Sequence, residues 1–104
     1  MNNNKIVLSV NEYYYSEYDE CAFYEWLDKI NCIGSYEGEG NTLYINVTSD
    51  LVDDFCLREI LAIFYRYNID MKQLGIFKNE ENKGWFCDSR KYWHKRVFGD
   101  NEML

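Results

Sequence analysis

The chain of 104 residues contains no proline, only six glycines and a single histidine. Without proline it has neither a strong helix breaker nor the semi-rigid linker that often separates domains. It also lacks a Ser/Gly-rich stretch, an internal repeat and a charge block long enough to be a tail. One domain over residues 1–104 is expected, large enough to hold a single core without staples. No apolar run approaches the roughly 20 residues needed to span a bilayer. The start, MNNNKIVLSV, has one basic residue and too short an apolar stretch for a secretory leader. The four cysteines, Cys21, Cys32, Cys56 and Cys87, are separated by 11, 24 and 31 positions and form no C-x-x-C pair. With only His94 to join them, zinc spacing is absent, and neither a metal nor another cofactor is expected. Reduced thiols packed in the core of a cytoplasmic protein are the simplest reading.

Positive charge is scarce in the first part of the chain. Residues 1–60 hold twelve acidic side chains against Lys5, Lys29 and Arg58, whereas residues 61–104 hold eight basic and six acidic. Because charges are screened over about 10 Å at 0.1 M salt, a partner feels the local patch rather than the net charge of −7. The acidity argues against nucleic acid and anionic membrane surfaces as partners, and for a basic protein. A catalytic constellation is missing too. His94 has no neighbouring nucleophile motif or second ligand, and Asp53 and Asp54, adjacent in sequence, point apart on a helix. The chain is not expected to be an enzyme.

What the chain does have is a clear alternation of patterns. Lys5–Val10 reads as a strand with Ile6, Leu8 and Val10 on one face. Ser16–Ile30 reads as a helix capped by Ser16, with Phe23, Trp26, Leu27 and Ile30 in one stripe and Asn31 or Gly34 to end it. Ile33–Glu39 and Thr42–Thr48 form a hairpin turned at Gly40-Asn41, with Leu43, Ile45 and Val47 inward. Asp50–Asn68 is the strongest helical pattern: Val52, Phe55, Cys56, Ile60, Ile63, Phe64 and Tyr67 recur at helical spacing, widened by Leu51, Leu57 and Leu61. Leu74–Lys78 reads as a further strand, Glu80–Gly84 as a polar loop, and Asp88–Phe98 as a final helix or strand stopped by Gly99. The order β-α-β-β-α-β predicts an α+β ferredoxin-like split βαβ sandwich with an added C-terminal helix or strand. The first and third strands are expected side by side and parallel.

Parallel strands would start both helices from one edge of the sheet. Glu12, Glu17, Asp19 and Glu20 would then converge with Asp50, Asp53 and Asp54 on one acidic pole. Capping and the helix dipole account for Asp19, Asp50 and Asp53 but less well for Glu12 and Glu17. The run Tyr13, Tyr14, Tyr15 lies beside this pole, and three consecutive tyrosines cannot all enter one core. Tyrosine brings large contact area with few rotors to freeze, so these ten residues form the candidate partner-binding set. Glu37 and Glu39 share a side of their strand with Tyr44 and Asn46 and mark the open sheet face as the second candidate. The stretch GWFCDSRKYWHKRVFG mixes Trp85, Phe86, Tyr92, Trp93 and Phe98 with Arg90, Lys91, Lys95 and Arg96. It reads as an amphipathic closure of the core, with single-stranded nucleic acid binding as the alternative.

The stretches NEYYYSEYDE and WFCDSRKYWHKRVFG, in a small, proline-free, acidic chain of this layout, resemble the immunity proteins of bacterial polymorphic toxin systems, including contact-dependent growth inhibition. The resemblance implies a cytoplasmic protein that binds one cognate toxin, commonly a basic nuclease, and masks its active site with carboxylates. The binding residues above come from the charge and tyrosine pattern, not from the resemblance. A phage-encoded inhibitor or nucleic-acid mimic fits nearly the same features. A metabolite-sensing regulatory domain would need a glycine-bearing loop after the first strand, and NEYYYSEY has none.

Overall fold

Alternation of apolar and polar residues makes Lys5–Asn11 a strand with one face in water. In the computed structural model, which describes residues 5–99, it is β1, with Leu8 and Val10 buried. Helix α1 (Glu17–Asp28) follows, then β2 (Ile33–Glu39), β3 (Thr42–Thr48) and helix α2 (Asp54–Arg66). The two-residue loop Gly40-Asn41 closes the β2–β3 hairpin, and Gly40 supplies the positive φ of 65° that a primed turn requires. Leu43, Ile45 and Val47 all face the core, as their alternation predicts. The chain is α+β: α1 and α2 contribute to one core over a three-stranded antiparallel sheet.

The sheet order is β1-β3-β2, so β1 does lie beside β3, but the two run antiparallel: Lys5 faces Thr48 and Asn11 faces Thr42. The expected parallel pairing is wrong for a topological reason. The α1 crossover links β1 to β2, and it is these two that run parallel, split by β3 between them. β1 and β3 therefore end at opposite edges of the sheet, and α1 and α2 start at opposite edges.

Other expectations fail locally. Leu74–Lys78 is not a strand; Lys72–Phe77 forms 3₁₀ turns, with Leu74 and Phe77 buried and Ile76 exposed. The buried pair is three apart, which matches a 3₁₀ period rather than the two of a strand. Neither Asn31 nor Gly34 ends α1 with a positive φ; Lys29 and Ile30 instead donate to Trp26 O and Leu27 O in tighter turns. The left-handed residue is Asn68 (φ 58°), which follows α2 while Ile69 N donates to Phe64 O. Phe55 and Leu51, placed in the buried stripe by the sequence reading, are exposed.

The C-terminal part forms two short helices, α3 (Lys83–Phe86) and α4 (His94–Phe98), rather than one element over Asp88–Phe98. Asp88 does not cap a helix. Its carboxylate accepts from Arg90 N and grips the Arg90 guanidinium at two points, 3.0 and 2.9 Å, which holds a turn. Core closure is as expected: Trp93 and Val97 are buried, and Trp93 Nε1 donates to Phe86 O at 2.7 Å. Helix α2 is covered on more than its apolar arc. Phe64 and Ile60 belong to the core, while Arg58 stacks on Trp85 at 3.9 Å and Arg96 on Tyr65 at 4.1 Å. Cys32 and Cys56 are buried free thiols, and burial pushes the Cys32 thiol up to about 12; Cys21, expected to face inward, is exposed.

Candidate tyrosine and carboxylate interface

Ser16 begins α1 because its side chain satisfies a helix-start donor: Oγ accepts from Asp19 N at 3.2 Å. Asp19 answers by accepting from Tyr15 N at 2.9 Å. This reciprocal pair fixes the chain that carries the tyrosine run. The run then splits by alternation. Tyr13 and Tyr15 point outward, 72% and 86% exposed, with their rings edge to face at 5.3 Å. Tyr18 is also 86% exposed. Tyr14 turns inward, packs on Phe23 and donates its hydroxyl to Glu12 at 2.9 Å.

Glu12 is not a free carboxylate at a pole. One of its oxygens accepts from both Tyr14 and Tyr24, the latter at 2.6 Å. Burial and the bond to Glu12 push the Tyr24 phenol up to about 12 and the Tyr14 phenol further still. Glu12 and Tyr14 thus brace the loop from within, while Tyr13, Tyr15, Glu17 and Glu20 are exposed around the α1 start.

The other three acids stand elsewhere. Asp50 lies in the 3₁₀ turn Ser49–Leu51, Asp53 caps α2 by accepting from Cys56 N at 2.8 Å, and Asp54 is exposed in its first turn. That bond holds the Asp53 carboxyl below its ordinary value. At the opposite end of α2, Tyr67 donates to Asp19 O at 3.3 Å and its ring meets Phe23 at 4.9 Å. The helices are antiparallel, and the length of α2 separates the two acidic groups by about 20 Å. The single acidic pole does not exist.

Three separate surface cavities lie along the stretch between them. A cavity of about 530 Å³ beside Tyr13, Tyr15 and Asp19 reaches Ala22 and Trp26. The same two residues line a second, of about 430 Å³, that extends to Phe55 and Glu59. A third, of about 380 Å³, is lined by Phe55, Asp53 and Asp54. Phe55 is 66% exposed, and Glu59 holds the indole of Trp26 through a 2.9 Å bond. Phe55, read at helical spacing with the buried residues, is nevertheless a surface residue. The signal was there: at about 100° per residue it lies opposite the arc of Cys56, Leu57, Ile60 and Leu61. On the open sheet face, Glu37 and Glu39 are exposed and Tyr44 is half-buried opposite Glu37.

His94 packs on Phe98 with ring centres 5.4 Å apart, and among the described residues no three His, Cys, Asp or Glu are grouped to hold a metal. No helix of the described residues is long and apolar enough to cross a membrane. Comparison of the chain with protein-family models, with curated proteins and with solved structures returned no match.

Proposed function

We propose that this protein is a non-enzymatic inhibitor of the immunity type, which docks its acidic first half on a basic partner in the cytoplasm, foremost a nuclease toxin. The observation that supports this is the set of exposed rings Tyr13, Tyr15 and Tyr18 around exposed Glu17 and Glu20. Large amphipathic rings beside carboxylates suit a contact that excludes water around charged pairs. Carboxylates laid over a nuclease site take the places of substrate phosphates and repel the substrate itself. In the same reading the fold is a ferredoxin-like sandwich whose fourth-strand position is taken by Lys72–Phe77, because Gln73 bonds the outer edge of β1.

The test is co-expression with the product of the adjacent gene, followed by purification and a nuclease assay. A one-to-one complex with nuclease activity suppressed is the expected result. Robust turnover of nucleotide, ester or glycoside substrates by the isolated chain would overturn the non-enzymatic reading. A phage early-gene context with a nucleic-acid-binding host partner would replace the toxin with the mimic's target.

A further inference from the structure

The two edges of the sheet are finished differently. At the β1 edge the Gln73 carboxamide behaves as a one-residue strand, accepting from Ser9 N and donating to Ser9 O, both at 2.9 Å. At the β2 edge, among the described residues, no backbone group from outside the sheet bonds Tyr36 or Gly38. The hairpin decides which groups face out. Glu39 and Thr42 close a two-residue loop, so Glu37 and Glu39 bond β3 while Tyr36 and Gly38 direct N–H and C=O away from it. The same parity holds at β1, where Ser9 lies opposite Tyr44 and bonds outward.

The surroundings of this open edge are acidic on both sides. Glu37 and Glu39 share the solvent face of β2. On the core side Tyr36 donates to Asp28 at 2.7 Å, and a Cβ at Gly38 would lie 3.8 Å from a Glu12 carboxylate oxygen. No lysine or arginine occurs between Lys29 and Arg58. Gly38 also leaves the core side of the edge without a side chain of its own.

We propose that β2 takes up an extended basic segment of a partner protein as an added strand. Backbone bonds at Tyr36 and Gly38 supply the ladder, and lysines or arginines at alternate positions of the incoming strand meet Glu37 and Glu39 on the solvent face. A second copy of this chain is the wrong occupant, because β2 against β2 sets like charges opposite one another. The inference is separate from the α1–α2 cavities and does not rest on the inhibitor reading.

The probe is a synthetic eight-residue peptide of alternating lysine and valine, titrated into the full ¹⁵N-labelled chain, with an alternating glutamate–valine peptide as control. The Tyr36 and Gly38 amides are expected to shift most and to exchange with solvent about tenfold more slowly or better. The acidic peptide is expected to leave them unchanged. Gly38→Pro removes an outward N–H that makes no bond within the sheet, so the fold should survive and the affinity fall about tenfold. Should that variant fail to fold by circular dichroism, Glu37→Lys with Glu39→Lys decides: it should reject the basic peptide and accept the acidic one. Shifts confined to the cavity beside Trp26 and Phe55, unchanged affinity in a folded Gly38→Pro, or concentration-dependent pairing of the chain with itself through β2 would each overturn the proposal.

Discussion

A single carboxylate oxygen on Glu12 holds two phenols, and this fixes how the protein should respond to alkali. Tyr24 stays protonated to about 12 in the folded chain against an ordinary 10.0, and Tyr14 beyond that. The folded state therefore binds protons that the unfolded state releases first. The stabilisation is fully present below pH 10 and is lost as pH rises through about 12. The urea midpoint should fall steeply from pH 10 to 12, and Tyr14→Phe with Tyr24→Phe should flatten that fall while lowering stability at neutral pH. A double variant with the same alkaline slope as the parent would show that other groups carry it. Phe64, 1% exposed, gives the complementary core test: Phe64→Ala should cost about 3–5 kcal/mol in denaturant unfolding. At this scale the sequence showed that a Tyr-Tyr-Tyr run must put some ring in water. Which ring turns in was decided by Glu12 and Phe23, one before the run and one in α1, and no local pattern reveals that pairing.

At the scale of elements, strong periodicity translated directly into structure and weak periodicity did not. β3 and α2 have long, clean patterns, and their buried faces follow them apart from Phe55 and Leu51. LGIFK was too short to separate a period of two from a period of three. Its surroundings settled it: Asp70 accepts from Lys72 N at 3.0 Å, a side-chain turn that leads the chain into the 3₁₀ segment. Gln73 then lands on β1 and finishes an edge that would otherwise offer a bare ladder. Gln73→Ala should remove both bonds to Ser9, lower stability by about 1–2 kcal/mol, and speed exchange of the Ser9 amide. Gln73→Glu keeps the acceptor and loses the donor, so Ser9 N–H protection should survive in part. Equal exchange at Ser9 in all three proteins would show that the carboxamide does not guard the edge.

Across the whole molecule, the polarity of charge along the chain was legible but its arrangement in space was not, because one strand direction decides it. With β1 antiparallel to β3, Glu17 and Glu20 stand at one end of the α1–α2 pair and Asp54 at the other. Their separation of about 20 Å is twice the screening length of about 10 Å at 0.1 M salt. Under the proposed function, each cluster is expected to steer a basic partner on its own. In stopped-flow association with the cognate partner, rising ionic strength should slow k_on far more than it changes k_off. Glu17→Lys with Glu20→Lys should slow k_on with little loss of stability, since both side chains are in water. Glu80→Lys with Glu81→Lys, in the C-terminal half, should have much less effect. Adding Asp54→Lys to the Glu17/Glu20 reversal turns the arrangement itself into a measurement. Independent clusters give a combined effect on k_on equal to the product of the separate effects within about twofold. A strongly non-multiplicative result would mean that both ends act on the partner as one patch, and an undiminished k_on in the Glu17/Glu20 variant would move the interface to the face of Glu37, Glu39 and Tyr44.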